Sequence, residues 1–360
     1  MEAIQKDFAE RNVKFYYVYK SLAHPEKGGL VQPETLEERL LHISKADSDL
    51  ETDIDWLADS MTNELKHAFG DRNNSEFVIA PDGTVVSAKE WCDPVQLRSN
   101  LEKWVGKPET TTLAKSSRTQ LTTTSKIKTG IVPRIERSSD NSVTLKVDVE
   151  SLSEKPLYLK LRPEIDRSAL QSGGKTQLYL GFFMDPIHRV HWNNLAPPMK
   201  FEISGADGVT FAQSSCESQK VTKADADMDP REFLVEVDIP ESALGEPLIV
   251  KTSYFACDDD DQFCVQVSQN FTIHLDQDPD AGRVSGKRPG SMNRGKSKGK
   301  GTPTVARVFS KFDQDQNGKL TKDELEGRSM VMQRFSTWDS DKDGTLSKEE
   351  VSTGLQSMSR

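Results

Sequence analysis

Residues 313–324, DQDQNGKLTKDE, and residues 339–350, DSDKDGTLSKEE, repeat one pattern of oxygen-bearing side chains around a glycine. A hard cation of calcium's size is held by oxygens from positions 1, 3, 5, 7, 9 and 12 of a 12-residue turn. Gly at position 6 permits the sharp bend, and Glu at position 12 grips with both oxygens. In the first stretch these are Asp313, Asp315, Asn317, the Lys319 carbonyl, Thr321 through a water, and Glu324, with Gly318 at the bend. In the second they are Asp339, Asp341, Asp343, the Thr345 carbonyl, Ser347 and Glu350, with Gly344 at the bend. The expectation is two Ca²⁺ ions, one per loop. The second loop brings four carboxylates against three in the first and is expected to bind more tightly.

Position 8 is Leu320 in one loop and Leu346 in the other, the apolar residue that would pair the two loops across a short β-bridge. The flanks carry helical stripes: Val305, Val308, Phe309 and Phe312 before the first loop, opened by Thr302-Pro303; Val331, Phe335 and Trp338 before the second; Val351, Leu355 and Met358 after it. The segment resembles the EF-hand family over about residues 302–360, which implies an all-α pair of helix-loop-helix units. The loops start only 26 residues apart, so the linking helices must be short. That weighs against a sensor that opens a wide groove on binding.

A chain of 360 residues exceeds what one core usually serves, so two or three domains are expected. A net charge of -10 argues against a general nucleic-acid binder, since phosphate neutralisation needs clustered Lys and Arg. No apolar run reaches the ~18 residues of a membrane span, and the start, MEAIQKDFAERNVKF, lacks the order of a secretory signal.

Residues 1–106 read as an α/β layer in the order β-α-β-α-β-β-α. Val13 to Tyr19 (VKFYYVY) reads as a fully buried strand, and a helix follows from Thr35 with Leu36, Leu40 and Ile43 on its inner face. A strand at 54–57, a helix at 63–69 and a hairpin of EFVIA and TVVSA about Pro81-Asp82-Gly83 come next. A last amphipathic helix carries Leu97, Leu101, Trp104 and Val105. Residues 107–130 are polar and read as a linker.

From residue 131 to 275 strand-like runs recur between turns: VTLKVDV, LYLKL, YLGFFM, MKFEI, FLVEVDI, LIVKTSYF and FCVQVSQNFTIHL. This spacing predicts a β-sandwich. Residues 276–301 lead into a basic Gly/Ser-rich tether, read as a solvated spacer because aromatics for base stacking are absent. Of the four cysteines, Cys257 and Cys264 flank a turn between two strands, where a disulfide is feasible; Cys92 and Cys216 have no evident partner. The spacing is not a zinc pattern.

Two further resemblances follow. FYYVYKSLAHP, DSMTNELKHAFG and EFVIAPDGTVV are similar to the iodothyronine deiodinase-like branch of the thioredoxin fold. That implies an incomplete thioredoxin-like domain over residues 1–106. Its nucleophile-bearing first strand would lie before Met1, with Ile4 and Phe8 facing inward from the first helix. His24 stands at the family's histidine, and Leu22 where the family has Glu. SYFACDDDDQFCVQVSQNFTIHL and MDPIHRVHWNNLAPPMKFEI resemble the N-terminal domain of the thiol-disulfide interchange protein DsbD. The matching positions are His188, Trp192, Asn194 and Pro197. That resemblance implies an immunoglobulin-like sandwich with a cysteine pair that is either structural or electron-shuttling. Asp258 to Asp261, lying between the cysteines, would disfavour a thiolate.

Three readings stay open. One is a multidomain calcium-binding protein whose EF-hand tail sits on redox-type scaffolds without a complete catalytic site. Another is a thiol-disulfide or peroxide oxidoreductase whose catalytic strand precedes the given start. The third is an intracellular calcium-responsive interaction protein. An extracytoplasmic site goes with a truncated start, and a cytoplasmic one with a complete start. The sequence names no protein partner.

Overall fold

The computed structural model describes residues 1–26, 29–112, 127–135, 141–152, 154–258, 260, 263–282, 312–313, 317–322, 324–325 and 334–357. The chain divides into two compact units, Met1–Gly286 and Lys287–Arg360. Most of the regular structure is β-sheet, with few helices.

The first unit opens with α1 (Glu2–Phe8), β1 (Tyr16–Tyr19), α2 (Leu36–Leu50), β2 (Asp55–Ala58), α3 (Glu64–Ala68), β3 (Glu76–Ile79), β4 (Val85–Lys89) and α4 (Pro94–Val105). From β1 onward this is the element order read from sequence; α1 precedes it, where the deiodinase-like resemblance implied a helix. β1 pairs with β2 in parallel, and β3 with β4 as an antiparallel hairpin; the two pairs form separate sheets. Ile4 and Phe8 of α1 pack against Leu97 and Leu101 of α4, while Trp104 and Val105 lie towards solvent. Helix starts follow capping chemistry. The Thr35 hydroxyl accepts from the Glu38 N–H at 3.1 Å. Asp93 caps α4 ahead of Pro94, accepting from the Val95 and Gln96 N–H groups.

Two burial expectations fail here. β1 is not fully buried, and Tyr16 is 49% exposed. On α2 the face bearing Leu36 and Leu40 points outward, each 49% exposed, whereas Glu38, Arg39 and His42 are buried. The reason is that polar partners meet the buried face. Arg39 donates to the Asp59 and Ser60 carbonyls and to Asn63 Oδ1. The Tyr19 hydroxyl lies 2.7 Å from His42 Nδ1. A buried charge that is paired and hydrogen-bonded can occupy an inward face that pattern reading assigns to apolar residues.

The rest of the unit holds β5 (Ser142–Ser151), β6 (Leu159–Asp166), the one-turn helix α5 (Ala169–Ser172), β7 (Gly174–Met184), β8 (Val190–Asn193), β9 (Lys200–Ser204), β10 (Thr210–Phe211), β11 (Ser215–Glu217), β12 (Ala226–Asp227), β13 (Arg231–Ile239), β14 (Leu248–Asp258) and β15 (Cys264–Gln277). The strands join in the order β10-β13-β7-β6-β5-β15-β14-β8-β12, with β9 between β11 and β14. β5 serves both halves: residues 142–144 pair with β6, and later residues pair with β15. The halves share one core. The Phe182 ring of β7 lies 5.4 Å from that of Phe201 on β9 and 6.3 Å from that of Phe271 on β15. All seven strand runs read from the sequence are present, while β8 and the short β10, β11 and β12 were not anticipated.

In the second unit, β16 (Lys319–Leu320) and β17 (Leu346–Ser347) form an antiparallel pair, followed by α7 (Lys348–Ser357); α6 (Phe335–Trp338) precedes the second loop. Leu320 faces Leu346 in register, and both are fully buried with Leu325, Phe335, Trp338 and Val351. Phe312 packs on this cluster. Thr302, Pro303, Val305, Val308, Phe309, Asp315, Val331 and Met358, with the Leu355 side chain, lie outside the described residues, as do positions 113–126 of the polar linker and 283–301 of the basic tether.

Candidate metal centre in paired acidic loops

The two loops repeat each other atom for atom at several positions. Gly318 and Gly344, at position 6, have φ of +79° and +84°, the left-handed region that a side chain would strain. Each donates its N–H to the position-1 carboxylate, Gly318 to Asp313 Oδ2 at 3.0 Å and Gly344 to Asp339 Oδ2 at 3.2 Å. At position 12, Glu324 Oε2 accepts from the Thr321 N–H and hydroxyl, both at 2.9 Å. Glu350 Oε2 does the same with Ser347, also at 2.9 Å. Glu350 Oε1 reaches the opposite side of its loop, accepting from the Ser340 N–H at 2.8 Å.

In the second loop the remaining oxygens gather inside the turn. Asp339, Asp341 and Asp343 present carboxylate oxygens all within 4.8 Å of one another. The second oxygen of each position-1 residue, Oδ1 of Asp313 and of Asp339, is buried without a hydrogen-bond partner among the described residues. A buried carboxylate oxygen left unpaired costs free energy unless a cation meets it. The Ser347 N–H, outweighing the small effect of burial, holds the Glu350 carboxyl down at about 2, and hydrogen bonds from Thr345 and Lys319 hold Asp343 at about 2. Both are therefore anionic at any physiological pH, the form a hard cation needs.

Other predicted positions come together elsewhere, or not at all. Cys257 and Cys264 are joined by a disulfide across β14 and β15. Cys257 is buried and Cys264 exposed, and the Asn193 amide, which the sequence did not single out, donates to Cys264 Sγ at 3.3 Å. Asp259 and Asp261 lie outside the described residues. Trp192 and Asn194 serve a buried network around Arg231 instead. Trp192 Nε1 donates to the Asp229 carbonyl, Asn194 donates to Asp227, and the Arg231 guanidinium sits 4.8 Å from the Trp192 ring centre. His24 is exposed, and Leu22 is tied through its backbone to the Gln32 amide. Burial and the neighbouring Glu76 push the Cys92 thiol up to about 11, and burial raises that of Cys216, so neither offers a ready thiolate.

His188 joins Glu38 and Asp185 in a second carboxylate-imidazole cluster, with ligand atoms within 4.8 Å. The Lys160 ammonium already fills the position of a cation there, 2.5 Å from Glu38 Oε1 and 3.7 Å from Asp185 Oδ2. Lys66 does the same beside Asp280 in the cluster of His67, Asp71 and Asp280. These two groups are internal ion pairs. Among the clusters of the described residues, that of Asp339, Asp341 and Asp343 alone combines converging carboxylates with an unpartnered buried oxygen and no internal ammonium at its position-1 residue.

The EF hand family profile matches residues 305–327 and 332–355. The chain therefore carries a C-terminal EF-hand pair, and that class of site implies calcium binding. No curated protein matches the chain. Among solved structures, a FixG-related protein from Vibrio parahaemolyticus is similar at 11% identity over 37% of this chain and 97% of that one. Its TM-score of 0.13 is too low for the likeness to carry an argument. Among the described residues no helix is long and apolar enough to cross a membrane.

Proposed function

We propose that each loop binds one Ca²⁺ ion. Asp313, Asp315, Asn317, the Lys319 carbonyl, Thr321 through water and Glu324 would hold the first. Asp339, Asp341, Asp343, the Thr345 carbonyl, Ser347 and Glu350 would hold the second, which the extra carboxylate makes the tighter site. The observation that carries the reading is the pair of buried oxygens at position 1, Asp313 Oδ1 and Asp339 Oδ1, left without a partner among the described residues. The Leu320–Leu346 bridge makes the loops one structural unit, so filling either site stiffens the other's frame.

The rest of the chain is read as scaffold. The element order of residues 1–106 supports a thioredoxin-like layer, and the two-faced all-β core of residues 131–275 supports an immunoglobulin-like sandwich. Cys257–Cys264 is read as a clip that closes the β14–β15 hairpin, since Cys257 is buried on β14 between β15 and the adjoining β8. No catalytic role is assigned to either part.

Calorimetry of the full chain tests the calcium reading. Calcium at about 100 times its dissociation constant adds ~2.7 kcal/mol per site to the stability of the unit that binds it. One unfolding transition is expected to rise with calcium and fall back on chelation. A thermogram indifferent to millimolar calcium would rule the reading out.

A further inference from the structure

Position 7 of an EF-hand loop gives the ion only its backbone carbonyl, so the side chain there is free for other work. In the first loop that residue is Lys319, and the β-bridge sets it opposite Ser347, position 9 of the second loop. From there its ammonium crosses to Asp343 Oδ2 at 3.0 Å, a position-5 ligand atom of the second loop. The other Asp343 oxygen is held within its own loop by the Thr345 N–H at 2.8 Å and hydroxyl at 2.7 Å.

We propose that Lys319 is an internal counter-ion, supplied by the first loop, that sets the calcium affinity of the second. The proposal rests on the calcium reading above. Asp339, Asp341 and Asp343 crowd their carboxylates together, and Glu350 adds a fourth negative charge. Without a metal their mutual repulsion is relieved by a cation nearby, and Lys319 is the ammonium paired with a ligand of this loop among the described residues. An incoming Ca²⁺ takes the Asp343 oxygen for itself, so the ion pair must open and its energy is subtracted from binding. Lys319 thereby lowers the second loop's affinity, bringing it closer to the first despite its extra carboxylate. The pair is half exposed, with side chains 53% and 38% accessible, so the effect belongs in the range of surface ion pairs.

The test is calcium titration of the full chain in a Glu324→Gln background, where the second loop alone keeps its full ligand set. Lys319→Gln is expected to tighten the remaining site roughly two- to fivefold, and Lys319→Arg, which keeps the charge, to tighten it less. In the complementary Glu350→Gln background, Lys319→Gln is expected to change the first loop less than it changes the second. Should Glu324→Gln unfold, the Gly344 amide resonance in the otherwise intact chain reads the second loop directly. An unchanged second site, or equal tightening of both loops, overturns the proposal. Absence of calcium binding in the unsubstituted chain would instead overturn the reading on which it rests.

Discussion

Glu350→Gln is expected to empty the second loop of calcium at concentrations that saturate the unsubstituted protein. The carboxylate spans its loop, with Oε2 on Ser347 and Oε1 on Ser340, so it is positioned to close the turn from both sides. Gln keeps the size but surrenders the charge and the bidentate grip. Loss of a residue that merely orients a metal ligand costs about 10–100-fold in affinity, and loss of the ligand itself is expected to exceed that. Titration of the variant should retain the first site and lose the second. Two sites of unchanged affinity would show that Glu350 is not a ligand.

The largest effect on stability is expected at Lys160. Its ammonium lies between Glu38 of α2 and Asp185 after β7, and all three residues are buried. Lys160→Met leaves two carboxylates without their cation, a loss of about 3–5 kcal/mol near neutral pH. Burial alone would raise the Glu38 carboxyl, but hydrogen bonds from His188 and Lys160 and the ammonium's charge outweigh it and hold the group at about 2. A depressed carboxyl stabilises the fold above its ordinary value near 4.5, and that contribution is lost as pH falls through about 2. Asp185 runs the other way. Burial pushes it up to about 6 against the pull of Lys160, so its ionisation costs stability, a cost absent below its ordinary value near 3.8 and complete above about 6. Its Oδ2 has no hydrogen-bond partner, which suits a group that ionises reluctantly. Removing Lys160 raises both groups, so the variant's deficit should be greatest at pH 7 and shrink towards pH 4. Chemical unfolding at the two pH values measures it; a deficit below about 1 kcal/mol, or one equal at both, would contradict this account.

The calcium loops were legible in the sequence because their chemistry is local. Each proposed ligand lies within twelve consecutive residues, the glycine is demanded by backbone geometry, and even the Leu320–Leu346 pairing follows from position 8 of each loop. The strands of the middle segment were legible for a similar reason, since alternation within VTLKVDV or FLVEVDI needs no knowledge of the partner strand. The inner face of α2 was not. Glu38, Arg39 and His42 look like a solvated stripe until the fold supplies their partners: Lys160 and His188, more than a hundred residues away, for Glu38, the 59–63 turn for Arg39, and Tyr19 for His42. The Asn193 amide and the Lys319 ammonium, whose residue was read only for its carbonyl, escaped notice for the same reason. Asn193 looks like a turn residue until its amide meets Cys264, and Lys319 like a solvent-facing lysine until the bridge carries it to Asp343. β10 and β12 have two residues each and are strands only because β13 and β8 lie beside them.

The central claim is that the C-terminal pair holds two calcium ions, and isothermal titration of the calcium-free full chain measures it most directly. The account predicts two equivalents of Ca²⁺ per chain, the tighter lost in Glu350→Gln. A chain that takes up no calcium would contradict it at the root, and a single equivalent would contradict the equivalence of the two loops that Asp313, Gly318 and Glu324 share with Asp339, Gly344 and Glu350.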